Sequence, residues 1–226
     1  VRDQQAGGYR LEHIYQHDPD RPHRASPLAR PDLVLTKGDV LVEINERSVL
    51  GVEDYRDLLR DAVNTNVLLK WKKAGQEDAY LCVVKAISSG SERSLRYDQW
   101  EYLTRLHTEK KSDKRIGYIH LQGMGRKDIE QWVREYFPIF TRQGLIIDVR
   151  NNGGGNIDAW ILEKLLRKAW MYWHDRTGAT TWNMHYAFRG HMVVLCNENT
   201  GSDGEAFADG FRRLGMGKVI GKRSWG

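Results

Sequence analysis

Met192-Val193-Val194-Leu195-Cys196 runs directly into Asn197-Glu198-Asn199-Thr200-Gly201-Ser202-Asp203-Gly204-Glu205. An apolar run of strand length ends in a turn rich in Asn, Thr and Gly. A helical pattern then starts at Ser202, because Ala206, Phe207, Phe211 and Leu214 recur with helical spacing. Ser202 therefore stands at a helix N-terminus, where free backbone N–H groups and the positive end of the dipole stabilise developing negative charge. Taken alone, this is the pattern of an ordinary N-cap serine.

A second element upstream changes that reading. Gly144-Leu145-Ile146-Ile147-Asp148-Val149-Arg150-Asn151-Asn152-Gly153-Gly154-Gly155 is again a buried strand ending in a loop, and an amphipathic helix from about Ile157 to Trp170 follows. Three consecutive glycines let a backbone approach a ligand closely and point N–H groups into a cavity. The loop is not a phosphate loop, since no Gly-Lys-Ser/Thr follows, and its glycines lack the dinucleotide spacing. Two strand-loop-helix units, one offering glycine amides and the other a helix-capping serine, suit acyl transfer with an oxyanion hole.

Ile116-Gly117-Tyr118-Ile119-His120, the run from Leu145 to Gly155, Gly201-Ser202-Asp203-Gly204-Glu205 and the ending Ile220-Gly221-Lys222-Arg223-Ser224-Trp225-Gly226 occur in an order that resembles the core of the tail-specific serine peptidases. Ser-Asp-Gly at 202–204 and Ser-Trp-Gly at 224–226 bring the chain nearest to the tricorn protease group. The resemblance covers almost the whole chain. It implies a ClpP-like or crotonase-like α/β serine domain, Ser202 as nucleophile, and the backbone amides of Gly155 and Asp203 as oxyanion donors. Gly154 would permit the loop's close approach, and the side chain of Asp203 would point elsewhere.

Composition is consistent with a two-domain enzyme. The 226 residues, 40% of them hydrophobic, can build two cores. No apolar run approaches the length of a membrane span, so no membrane partner is expected. The net charge is +5, but clusters such as Lys70, Lys72 and Lys73, or Lys110, Lys111, Lys114 and Arg115, are separated by mixed-charge stretches and lack a binding motif. They read as solvated faces, with no nucleic acid implied. Cys82 and Cys196 each fall in an apolar strand pattern and read as buried packing thiols. No cofactor is expected.

The chain divides near Ser88-Ser89-Gly90-Ser91. Before it, Gly7 to Tyr15 alternates like a strand leaving a glycine turn, and residues 16–31 read as a long loop. Strands are expected over Val40–Asn45, Val67–Trp71 and Tyr80–Val84, with a short helix from about Val52 to Ala62. This part resembles a PDZ domain of the protease type, punctuated by Ser26-Pro27-Leu28 and Lys37-Gly38-Asp39. In such domains a peptide adds as a strand and loop amides hold its terminal carboxylate; by resemblance Gly7, Gly8 and Tyr9 would form that loop. The alternative is a spacer whose groove is filled by its own chain or a neighbouring domain. The expected organisation is a β-rich PDZ-like domain at 5–88, a linker helix at 89–112 and an α/β serine-peptidase domain at 113–226, an α+β / α/β protein overall. Ile129, Trp132, Val133 and Phe137 mark a helix that Pro138 ends or kinks.

What activates Ser202 is open at this level. In the tricorn group the base is a histidine in a helical domain before the PDZ, and neither that region nor the glutamate that orients it falls within these residues. None of the eight histidines sits in a recognisable base position, and Lys222 precedes the site a dyad lysine would take. Both ends read as cut from a longer protein, so the fragment is expected to lack its base and to be inert alone. For specificity, Trp173 stands where the group carries an acidic residue for basic side chains, and Asp175, two residues on, is the candidate replacement. The expected partner is a peptide or unfolded polypeptide, and the complete protein is expected to be homo-oligomeric and cytoplasmic, with a periplasmic setting as the alternative. Two other function classes remain: a non-catalytic peptide-binding module, and a crotonase-like acyl-CoA enzyme, against which the PDZ-like half and the Gly-Ser-Asp-Gly turn both weigh.

Overall fold

The computed structural model describes all 226 residues, and the chain separates into two units, Val1–Tyr102 and Leu103–Gly226. The first contains β1 (Arg2–Asp3), β2 (Gly8–Arg10), β3 (Val40–Ile44), β4 (Arg47–Ser48), β5 (Asn66–Lys72) and β6 (Ala79–Lys85). They form an antiparallel sheet in the order β1-β2-β3-β5-β6, with β4 paired to β3. Period-2 alternation sets its inner face. Val67, Leu69 and Trp71 of β5 and Cys82 and Val84 of β6 are buried with Leu41, Ile44, Val49 and Leu58, while Leu81 and Val83 point outward.

The Lys37-Gly38-Asp39 turn has a specific electrostatic role. Asp39 is fully buried, accepting from Thr36 N–H at 2.9 Å, Lys73 Nζ at 2.8 Å and the Tyr80 hydroxyl at 3.2 Å. Burial opposes its charge, but the Lys73 ammonium and the backbone amides outweigh it and hold its pKa below the ordinary value.

Two expectations for this unit need correction. The strand expected through Tyr15 ends at Arg10. Leu11 makes a last pair of bonds with the 38–39 turn, after which His13 and Tyr15 are held by the Gln99 and Glu92 side chains and no ladder forms. The helix expected over 52–62 is only a 3-10 helix, Tyr55–Leu59, capped by Asp54 and ended by the extended Arg60; Asp61 and Asn64 both adopt positive φ, which a helix cannot continue through.

Helix α1 (Ser89–Lys111) follows. Its first half is bonded into the first unit through Tyr15–Glu92, His13–Gln99 and Arg24–Asp98, and its second half into the other through Arg142–Glu109. The second unit continues with β7 (Ile116–His120), α2 (Arg126–Tyr136), β8 (Gly144–Asp148), α3 (Asp158–Leu166), β9 (Tyr172–Trp173), β10 (Thr181–Trp182), β11 (His191–Cys196), α4 (Asp203–Arg213) and β12 (Gly217–Gly221). Four strands form an all-parallel sheet in the order β12-β11-β8-β7. Its core joins Ile119, Leu145, Ile147 and Val194 to Trp132, Ile161, Phe207 and Phe211 from the helices, the helix-covered arrangement that parallel strands require. Helix α3 stops at Leu166, four residues before the expected end, because Arg167 turns extended. Beyond it lies the β9–β10 hairpin. No helix is long and apolar enough to cross a membrane.

Because the folded pKa of Asp39 is depressed, its contribution to stability is present above the ordinary carboxylate pKa and is lost as pH falls through the lowered value. Asp39→Asn should therefore destabilise the chain near pH 7, by roughly 1–3 kcal/mol, and flatten the acid side of the stability profile. Urea unfolding at pH 7 and pH 3 checks both.

Candidate active site

Strands β8 and β11 are parallel neighbours in register, Leu195 opposite Asp148, so the loops that leave their C-terminal ends emerge side by side. That edge of a parallel sheet is where ligand sites form. Three loops are tied together there by one buried side chain. Asn152, with no exposed surface, donates from Nδ2 to Leu121 O at 2.7 Å beyond β7, and accepts Gly154 N–H on Oδ1 at 2.8 Å. Its carbonyl accepts Gly201 N–H at 2.9 Å from the loop after β11. Buried Thr200 adds Oγ1 to Val149 O at 2.8 Å, and the Asn197 and Asn199 side chains bond Asn151.

The glycine amides divide by use. Gly153 N–H donates to Gln122 O and Gly154 N–H to Asn152 Oδ1. Gly155 N–H and Asp203 N–H make no hydrogen bond within the protein. Gly154 has φ +86°, and a Cβ there would come within 2.6 Å of Ser202 Cβ and 3.1 Å of Asp203 N. Gly155, φ +159°, lies so close to Met124 that a Cβ would come 1.8 Å from its carbonyl oxygen. The glycines are therefore needed because backbone and Ser202 occupy the space that side chains would fill.

Ser202 is exposed and has φ +54°, ψ −124°, a strained conformation for a residue with a Cβ. Its backbone N–H is held by Glu205 Oε2 at 2.8 Å, but its hydroxyl makes no capping bond to α4. An ordinary N-cap serine uses that oxygen on the helix amides; here it is left available. Glu205 also accepts Gly226 N–H at 2.7 Å, and bonds from Gly226 and Ser224 lower its pKa. The Asp203 carboxylate turns away to α3, accepting Ile157 N–H at 2.8 Å and Asp158 N–H at 3.0 Å. Burial, together with the nearby Asp158 carboxyl, raises its pKa.

Behind the glycine loop, Asp148 is fully buried and accepts Arg150 and the Tyr118 hydroxyl, the latter at 2.8 Å. Burial, and then the Asp148 charge, push the Tyr118 pKa up. His120 is 1% exposed, with Nε2 2.9 Å from Arg150 O, and burial lowers its pKa. None of the eight histidines hydrogen-bonds Ser202, and Lys222 pairs with Glu198. Asn152, Thr200 and Asp148 were not singled out in the sequence. The Asn-Asn pair before the glycines and the Thr in the Asn-rich turn were the available signals.

The remaining candidates lie elsewhere. Asp175 is exposed between β9 and β10, and Trp173 is exposed in β9. Gly7, with φ +76°, turns the β1–β2 hairpin and donates its N–H to Gln4 O. Gly8 abuts Leu41, where a Cβ would meet the carbonyl oxygen at 2.0 Å. Tyr9 pairs with Leu41 on one side and Arg2 on the other, and its ring packs edge-on against Tyr55 at 4.9 Å.

Asn152→Ala would leave the buried Leu121 O and the part-buried Gly154 N–H without partners. It should cost about 2 kcal/mol or more and broaden or shift the amide resonances of residues 153–155 and 201–203, which a thermal melt and a 15N–1H spectrum check.

Residues 115–226 match the family model for peptidase family S41, and residues 1–89 match that for the tricorn protease PDZ domain. The chain is 32% identical over 222 residues to a tricorn protease from Thermoplasma volcanium, covering 97% of this chain and 21% of that protein. It is 31% identical over 220 residues to tricorn protease homolog 1 from Streptomyces coelicolor, covering 97% of this chain and 20% of that one. The chain thus spans about a fifth of the length of the curated relatives it matches. Among solved structures it superposes on a crystal structure of the tricorn protease with a TM-score of 0.84 and 30% identity, covering 96% of this chain and 21% of the other. Two family models side by side, a shared fold and matched sequence along nearly the whole chain lead to one conclusion: the chain belongs to the tricorn protease family, with a tricorn-type PDZ domain followed by a domain of peptidase family S41.

Proposed function

We propose that these residues carry the nucleophile and oxyanion hole of a serine endopeptidase acting on peptides or unfolded polypeptides. The observation that carries the reading is the pairing of an uncapped serine hydroxyl, on a strained residue at a helix N-terminus, with two nearby backbone amides that the protein leaves unbonded. Ser202 Oγ attacks the scissile carbonyl carbon as its proton passes to a general base. The Gly155 and Asp203 N–H groups hold the oxyanion, and the helix dipole adds to them. Collapse expels the amine, which takes the proton, and water then hydrolyses the acyl-enzyme.

The base comes from outside residues 1–226. His120 is committed to Arg150 O in the interior, and Lys222 is paired at the surface. The complete protein is then a homo-oligomeric peptidase of the cytoplasm, by similarity to the tricorn group. A carboxylate-loop role for Gly7, Gly8 and Tyr9 has less support, because β1 already occupies the edge of β2 that an added peptide would use. Peptide capture there requires β1 to leave.

In the full-length protein, Ser202→Ala should lower peptide hydrolysis about a thousandfold or more while changing stability by about 0.5 kcal/mol or less, since the hydroxyl makes no cap. Near-normal turnover by the folded variant would sink the assignment. For specificity, Asp175 is proposed to select basic side chains. Asp175→Asn should reduce the preference for Arg- over Phe-containing fluorogenic peptides about tenfold, and unchanged discrimination excludes it.

A further inference from the structure

Helix α3 has an apolar residue, Ile157, at its N-cap position and no side-chain cap of its own. Apolar residues are poor caps, because they leave the first amides of the helix unsatisfied. The missing acceptor comes from the first residue of a different helix. Asp203 Oδ2 takes both Ile157 N–H and Asp158 N–H, although the Asp158 carboxyl lies against it and the site is partly desolvated. Gly155 precedes Ile157 by only two residues. One residue therefore supplies an undonated amide from its backbone and, through its side chain, clamps the helix start that follows the other undonated amide. Gly154 leaves little slack between them, being in near contact with Ser202 Cβ and Asp203 N.

We infer that the Asp203 carboxylate is a positioning residue for acyl transfer: by capping α3 from α4 it sets the separation of the Gly155 and Asp203 amides at which a tetrahedral oxyanion is bound. This rests on the function proposed above. Its effect is made in the transition state, since a planar ground-state carbonyl depends less on both donors. A cap that served stability alone would change how many molecules fold, not the rate of each folded one.

The test uses the full-length protein with Asp203→Ala, Asp203→Ser and Asp203→Asn, all of which keep the backbone amide. Sites are counted by labelling to completion with a serine-directed phosphonate, so that kcat is expressed per folded site. Ala and Ser, which cannot span to both amides, should lower kcat about a hundredfold with KM changed about twofold at most. Asn, whose side-chain oxygen can still accept, should recover to within about tenfold of the native enzyme. Faster hydrogen exchange at Ile157 and Asp158 should accompany the loss in Ala and Ser. If the Ala variant fails to fold, Ser carries the comparison. Per-site kcat within about threefold of native in a folded Ala or Ser variant overturns the inference, as does failure of Asn to rescue. A Ser202→Ala control separates the two levels: activity in that control defeats the nucleophile assignment itself, whereas an inactive control beside normal Asp203 variants defeats only the role of the carboxylate.

Discussion

Asn152 holds the loops after β7, β8 and β11 against one another through two side-chain hydrogen bonds and one that its backbone carbonyl accepts, and the geometry of the candidate site depends on that knot. A buried amide satisfied on both its donor and acceptor sides is demanding, because a half-satisfied one costs more than an apolar group of the same shape. It therefore admits one arrangement of the glycine loop. In that arrangement Gly154 N–H is used internally and Gly155 N–H is not. The same knot brings the serine loop down onto the glycines until Ser202 Cβ fills the space a Gly154 side chain would need. Backbone strain at Ser202 persists because these neighbours over-determine it.

Charge is arranged around this knot in two ways. Beneath it, Asp148 is buried with Arg150 and Tyr118, a compensated group that braces the start of the glycine loop without reaching its open side. At the helix starts, carboxylates replace hydroxyls as acceptors. Glu205 holds the Ser202 amide and the Gly226 amide, and Asp203 holds the start of α3. Using carboxylates for the structural bonds leaves the serine hydroxyl uncommitted. That division separates an available serine hydroxyl from a capping one more sharply than the presence of a serine at a helix N-terminus does.

The first unit shows a different economy. Strand β1 pairs along β2, Arg2 opposite Tyr9 and Asp3 opposite Gly8, so the sheet edge that an added peptide would meet already has an intramolecular strand on it. The Gly7–Gly8 turn is explained by that hairpin and by the contact of Gly8 with Leu41, with no ligand required.

Sequence by itself determined the alternation of strands and helices, the two-part organisation, the family resemblance and the glycine and serine loops. These depend on local periodicity and on residue types with few conformational substitutes, such as three successive glycines or an apolar run before an Asn-rich turn. It overextended the strand after Gly8, the helix around Tyr55 and the helix before Trp170, because those ends are decided by pairing with the Asp39 turn, by positive φ at Asp61 and by the extended backbone at Arg167. Only the tertiary structure decided which glycine amide is free, that Ser202 is not a cap, and that Asp203 caps a helix it does not belong to. The last is a pair of hydrogen bonds between segments about 45 residues apart. Such pairings are fixed by which strands lie side by side in the sheet, a long-range choice that no local pattern encodes.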